Sequence, residues 1–320
     1  MSLTPEIIAI LTLDALFLLL GSLACVSALS ILRHWDARAT TQLQYTLEKR
    51  SYLVSVIIKY IFTMKVPLFL FFIYTTDKLS AIITGAMCAT GVINAVDFGF
   101  YLSIFKLLNL YGFGFWLLVY QCDMLHSTMP YTKLKLWLFC LLFIPLVAEI
   151  GLEILFFTTL NFSKIVSCCG TLFSVASTSY SSLLFKVDGL VWVGFFYTFA
   201  FLVFVAYRLK NSILMLFSNV LYLVFAIISL IVFFSTYVYE LPTHHCPFCL
   251  LQKEYYGMGY LLYSLLFLGT FSGIGGALLE QIIGVKQPIW FKRSLVFNLL
   301  YLLMISLYPL VYYIKNGVWL

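Results

Sequence analysis

Charge is what this sequence has least of. Only 10% of its 320 residues are Asp, Glu, Lys or Arg, against roughly 25% in an ordinary soluble domain. Histidine is scarcer still, with four in the chain. The hydrophobic share is 63% and the mean hydropathy is +1.03. A soluble chain of this length has nowhere to hide so much apolar surface, so lipid must be its main solvent. That excludes a soluble enzyme, a nucleic-acid-binding protein, a disordered chain and a disulfide-stapled secreted domain. The apolar runs are long and continuous and lack the alternation over about 10 residues that marks an outer-membrane strand, so a β-barrel is excluded too. Also missing are a phosphate-binding loop, histidine pairs spaced for haem within the apolar runs, and a Ser/His/Asp arrangement. The first apolar run is too long for the roughly 7–15 residues of a signal peptide, and no basic region precedes it.

What is present is a series of apolar runs near the roughly 20 residues that cross a bilayer. They predict an all-α polytopic integral membrane helix bundle of about eight helices, near 7–32, 52–75, 100–121, 136–160, 188–207, 212–238, 255–283 and 294–313. No connection is long enough for a folded soluble domain, so 1–320 reads as a single transmembrane domain. Of the nineteen Lys and Arg, eleven fall on the side that holds the 33–51 connection and five on the other. Positive charge marks the cytoplasmic side. Both termini and the loops 76–99, 161–187 and 239–254 are therefore expected outside, most simply across a bacterial inner (plasma) membrane.

This topology sorts the eight cysteines. Cys25, Cys122 and Cys140 sit in spans or at their inner ends, where cysteine packs as a small hydrophobe. Cys88, Cys168, Cys169, Cys246 and Cys249 all fall in the three external loops, on the oxidising side. The densest motif is His244-His245-Cys246-Pro247-Phe248-Cys249-Leu250-Leu251-Gln252-Lys253. Pro247 suits the first turn of a helix, which would set Cys246 near the N-cap and Cys249 in the first turn. The helix dipole there would favour a thiolate, and Lys253 would lie one turn on, along the same face. Adjacent Cys168 and Cys169 would close a strained ring with each other, so distant thiols or a soft metal suit them better. The 80–97 stretch around Met87 and Cys88 reads as a short helix on or in the outer surface.

The run Cys246-Pro247-Phe248-Cys249-Leu250-Leu251-Gln252-Lys253 resembles the Cys-x-x-Cys-x-x-Gln-Arg element of the disulfide-bond formation protein B family, which is functionally akin to vitamin K epoxide reductases. The resemblance covers eight residues. It implies that Cys246 and Cys249 are the quinone-proximal redox pair, that Gln252 and Lys253 lie at the quinone, and that Cys168, Cys169 or Cys88 relays electrons from an external thioredoxin-like protein. Lys253 stands where the family has Arg. The family has a four-helix core where this chain has eight spans, and His244-His245 has no counterpart in its motif.

The same residues suit a second function. His244, His245, Cys246, Cys249, Cys168, Cys169, Met87 and Cys88 are imidazole, thiolate and thioether ligands of the kind that bind copper(I) or zinc. A membrane transporter or metal-delivery protein exchanging a soft metal with a metal-carrying partner would use such a set. A non-catalytic subunit of a membrane complex, clamped by external disulfides, is the third reading.

Five charges fall near the middle or in the outer half of spans, at Asp14, Lys65, Lys106, Glu149 and Glu153, while Lys59 lies nearer the cytoplasmic end of its span. Each would cost about 2.5–3.5 kcal/mol on insertion scales if left alone. The expected pairs are Lys65 with Glu149 and Lys106 with Asp14. A proton route through the carboxylates is the alternative.

Overall fold

The computed structural model describes residues 4–36, 39, 41–126, 129–162, 166 and 182–320. Cys168 and Cys169 lie outside the described residues. Eight helices among them are long and apolar enough to cross a membrane: Pro5–His34, Gln42–Ser80, Gly99–Met124, Thr132–Thr159, Gly189–Leu209, Ser212–Tyr239, Met258–Ile283 and Pro288–Asn316. They are called the first to eighth spans below. The molecule is all-α and a multi-pass membrane protein. Large side chains on the first span face outward, with Leu19, Leu23 and Val26 57–69% exposed, as a lipid-facing stripe requires. The second span, at 39 residues, is about 58 Å long at 1.5 Å per residue, so it runs well past an apolar core of about 30 Å.

The chain divides into two compact units, Met1–Thr76 with Ile93–Phe162, and Asp77–Val92 with Ser163–Leu320. In the first unit the fourth span packs on both the first and the third. Phe62 of the second span stacks on Phe113 of the third, with centroids 4.4 Å apart, and meets Trp116 edge-on. A buried cap closes the third-to-fourth connection. Asp123 Oδ2 accepts from Lys135 Nζ at 2.6 Å, and its Oδ1 accepts from the Tyr131 amide at 2.7 Å.

In the second unit the fifth to eighth spans pack as a closed ring, fifth on sixth, sixth on seventh, seventh on eighth and eighth on fifth. Asp188 and Asn211 accept amides of the first turns of the fifth and sixth spans, each satisfying an orphan donor. The sixth span contains a π-helical turn, Leu230–Phe234. Small and polar residues knit the ring together. Asn219 Oδ1 accepts from Ser294 Oγ at 3.0 Å and from Asn298 Nδ2 at 2.9 Å, while Tyr222 donates to the Asn298 carbonyl at 3.0 Å. The seventh span can approach this network because Gly269 lies over Asn298 and Gly273 over the Asn219 amide. A methyl group at Gly273 would strike that amide, whose hydrogen bonds fix its place. Gly273→Ala is therefore expected to cost about 1–3 kcal/mol through overpacking, seen as a lower Tm in detergent. Gly194→Ala, where a Cβ meets nothing within 4 Å, is the control and should not destabilise.

Candidate functional site

The sixth span ends at Tyr239, where Glu240 takes a left-handed conformation. The segment to Gly257 is built from extended chain and two 3-10 turns, Cys249–Leu251 and Lys253–Tyr255. Tyr256 and Gly257 both have positive φ, 56° and 61°, which no right-handed helix accommodates. The seventh span begins only at Met258. The expected placement of Cys246 and Cys249 at its N-terminus is thus corrected. They precede the helix, and its dipole, which acts within about one turn, does not reach them. Lys253 occupies its own turn and is exposed.

What holds the pair is a set of hydrogen bonds to the loop backbone. Tyr239 donates to the Cys246 carbonyl, and Tyr263, from the seventh span, donates to the Pro247 carbonyl at 2.5 Å. Gly259 lies against the Leu250 backbone. Gln252 Nε2 donates to the Met87 carbonyl at 2.9 Å and to Asp77 Oδ1 at 3.3 Å. Asp77 Oδ1 also accepts the Ala89 amide at 3.3 Å. Gln252 is therefore the staple that fixes the Asp77–Val92 segment to the Cys-x-x-Cys turn. Gly85, with φ 89°, lets that segment turn beneath the Val166 carbonyl, where a Cβ would clash. The short helix that follows, Ala89–Asn94, falls in the stretch expected to hold one, and all of it but half-buried Asn94 is buried.

These constraints bring Cys88, Cys246 and Cys249 together, with all three Sγ atoms within 4.8 Å of one another. Exposures are 0%, 1% and 3%. Cys88 Sγ lies 3.4 Å from Cys246 Sγ, in contact and well beyond the 2.03–2.05 Å of a disulfide. The Thr90 hydroxyl is 3.2 Å from Cys246 Sγ. Cys246 is thus the meeting point of a thiol and a hydroxyl carried on one short segment. Thr90, Asp77, Tyr239 and Tyr263 were not legible as site residues, because nothing in their spacing marks them.

Both histidines stay outside the sulfur cluster. His245 Nδ1 is 3.0 Å from the Ile231 carbonyl in the π-helical turn, and its ring packs on Phe185 at 4.8 Å. His245 also borders a cavity of about 910 Å³ with Phe233, Tyr237 and Trp319. The cysteines do not line that cavity. His244 packs edge-on against Tyr239 at 4.3 Å, and its Nε2 is buried with no hydrogen-bond partner. Burial lowers the pKa of His244 and His245, an effect the nearby Cys88 partly opposes at His244. A neutral, buried His244 binds fewer protons folded than unfolded. Its stabilisation is complete above the unfolded pKa of about 6.5 and is lost as pH falls through that value. His244→Phe should flatten the loss of thermal stability on acidification below pH of about 6.5. An unchanged pH profile would exclude His244 as its source. Met87 is 64% exposed, so its side chain and that of buried Cys88 diverge.

In the first unit all five intramembrane charges converge. Lys65 binds Asp14 at 2.8 Å and Glu149 at 3.2 Å. Lys106 binds Glu149 at 3.1 Å and Glu153 at 2.5 Å. The expected Lys65–Glu149 pair is present. The partners of Lys106 are the two glutamates, where Asp14 was expected.

No family model, curated protein or solved structure matches the chain significantly.

Proposed function

We propose that the chain is a membrane thiol–disulfide oxidoreductase that exchanges electrons between an external protein thiol and a membrane quinone. The observation that carries this reading is the contact of Cys88 with the first cysteine of a Cys-x-x-Cys pair. Thiol–disulfide exchange needs an attacking thiolate next to one sulfur of a disulfide and a second sulfur able to leave. Cys88, Cys246 and Cys249 fill those three roles. When Cys246 and Cys249 are disulfide-bonded, the Cys88 thiolate attacks Cys246 Sγ. A Cys88–Cys246 bond forms, the Cys246–Cys249 bond breaks, and Cys249 leaves as a thiolate that takes up a proton. One thiolate of an incoming partner dithiol attacks Cys88 Sγ, forming a partner–Cys88 disulfide and releasing Cys246 as a thiolate that takes up a proton. The partner's second thiol then displaces Cys88, so the partner leaves as a disulfide, Cys88 is again a thiolate, and Cys246 and Cys249 are a dithiol. In the oxidising direction, conversion of the Cys246–Cys249 dithiol back to the disulfide delivers two electrons and two protons to the quinone, giving hydroquinone. This reading sets the sulfur cluster at the outer face of a bacterial inner membrane, facing a thioredoxin-like partner.

The test is mass-tag trapping of the thiols in native membranes. After reduction, a Cys246–Cys249 disulfide should return only when quinone is supplied. Cys249→Ser should abolish quinone-dependent oxidation of a test dithiol, and undiminished oxidation would overturn the assignment. His244→Ala should be mild.

A second reading is favoured by the mutual approach of three buried sulfurs. Around a tetrahedral zinc with Zn–S of about 2.3 Å, ligand sulfurs lie roughly 3.8 Å apart, and copper(I) also prefers thiolates. A metal-handling protein would use Cys88, Cys246 and Cys249. In that case purified protein should bind Cu(I) or Zn(II) stoichiometrically, and Cys88→Ser should lose it. Thiols that react with maleimide only after chelation would replace the redox reading with this one.

A further inference from the structure

The charge network of the first unit is independent of the cysteines, and its composition is unbalanced. Two ammonium groups, Lys65 and Lys106, face three carboxyl groups, Asp14, Glu149 and Glu153. All have side chains at most 4% exposed. If every group is ionised, the site carries one uncompensated negative charge among membrane-spanning helices. A buried charge without a partner is among the most costly features a fold can carry.

The hydrogen bonds show where the imbalance sits. Glu149 is fully engaged: Oε1 accepts from both Lys65 and Lys106, and Oε2 accepts from Asn109 Nδ2 at 2.6 Å. Asp14 uses only Oδ1, toward Lys65. Glu153 uses only Oε2, toward Lys106. The remaining oxygens, Asp14 Oδ2 and Glu153 Oε1, are buried and receive no donor. The two carboxyl groups lie within hydrogen-bonding reach of each other. Two acceptors side by side repel unless a proton lies between them.

We propose that Asp14 and Glu153 share one exchangeable proton, so that the four helices of the first unit enclose a proton-binding site. One proton neutralises the network and supplies the donor that both orphaned oxygens lack. A metal cation fits less well. Hard cations take about six or more oxygen ligands, and here two oxygens are available between two ammonium groups. The groups facing the proton are Asp14 from the first span, Lys65 from the second, Lys106 from the third, and Glu149 and Glu153 from the fourth. Asn109 holds Glu149 in place. The two glutamates are four residues apart and share a helix face, which is why one lysine reaches both. The site binds its proton whatever the cysteine cluster does.

The test is infrared difference spectroscopy of the full chain in lipid. At neutral pH the wild type should show a protonated-carboxyl C=O band that shifts in D2O and disappears on alkaline titration. Glu153→Gln and Asp14→Asn should each remove it. Glu254→Gln, at an exposed loop position, should leave it intact. No such band in the wild type, or a band that survives both network substitutions, would overturn the proposal. So would a band that appears only when sodium is withdrawn, since a cation would then be the occupant. If a variant does not fold, wild-type protein with carboxyl-13C Asp and Glu carries the test. A D2O-sensitive band that moves with the label supports the proposal, and one that does not move overturns it.

Discussion

Replacing Cys246 with serine is expected to lower quinone-dependent oxidation of a dithiol substrate on the order of 100-fold or more, equivalent to at least about 2.7 kcal/mol of barrier. The reason is its place at the centre of the sulfur cluster. Cys246 Sγ is the atom that Cys88 touches at 3.4 Å and that the Thr90 hydroxyl approaches at 3.2 Å. Its carbonyl is held by Tyr239 and the next by Tyr263, so the backbone cannot swing another sulfur into its position. A serine hydroxyl neither forms nor leaves a disulfide, so the exchange stops. Cys88→Ser should part the two halves of the reaction: quinone should still drive the Cys246–Cys249 disulfide, while electrons from the external partner no longer arrive. Thr90→Val removes one hydrogen bond to sulfur and should cost about tenfold, near the 0.5–1.5 kcal/mol of a single bond. Rates of hydroquinone formation, read beside mass-tagged thiol states, check all three. A full rate in Cys246→Ser would refute the relay. Loss of bound copper or zinc in that variant, with no oxidase activity in the wild type, would favour the metal reading.

The bundle was legible because lipid demands a simple pattern. A backbone in hydrocarbon must satisfy its own hydrogen bonds, so long apolar runs have one outcome, and the eight runs became eight helices. Charge bias sets Cys88 on the same side of the membrane as Cys246 and Cys249, and that alone makes it a candidate partner for them. The local structure of the Cys-x-x-Cys turn was not legible. Pro247 reads as a helix start, yet Tyr256 and Gly257 adopt left-handed conformations and push the start to Met258. Tyr256 carries no sequence signal for that conformation. The resemblance implies that Gln252 lies at the quinone and carries no sign of its structural partners. Its bonds to Asp77 and Met87 depend on a segment more than 150 residues away, and spacing holds no information about such a partner. Of the two expected charged pairs, Lys65–Glu149 is present and Lys106–Asp14 is not, for a similar reason. Depth along each helix sets Lys65 with Glu149 and Lys106 with Asp14 and Glu153, but rotation about each helix axis decides who meets whom. Asp123 and Lys135 carry no sequence signal as a pair because they sit at helix ends, where charge normally faces water.

Among substitutions in the first unit, Lys106→Met should have the largest effect on stability. Lys106 Nζ is 3.1 Å from Glu149 and 2.5 Å from Glu153, and its ammonium also lies 4.8 Å from the Phe72 ring centroid. Removing it leaves Lys65 as the only ammonium for three buried carboxyl groups. Lys65 contacts Glu149 and Asp14, and Glu153 is left with no cation. Breaking a buried pair by deleting one partner typically costs 3–5 kcal/mol, because the other charge stays buried without compensation. Methionine keeps most of the side-chain volume, so the loss would be electrostatic and would not come from a cavity. The expected result is a clear drop in Tm in detergent, measured against Lys59→Met, which removes an exposed lysine of the second span. Glu153→Gln should behave differently. It removes the carboxyl group that the network cannot fully neutralise and keeps an amide able to donate to Asp14, so it should be neutral or mildly stabilising. The double variant Lys106→Met/Glu153→Gln should recover part of the loss, since the remaining groups are one ammonium and two carboxyl groups that one proton can balance. If Lys106→Met leaves the Tm unchanged, the pairs contribute nothing to holding the helices together. If the double variant is no better than the single, Glu153 is not the charge that Lys106 compensates, and the shared-proton assignment loses its electrostatic basis as well.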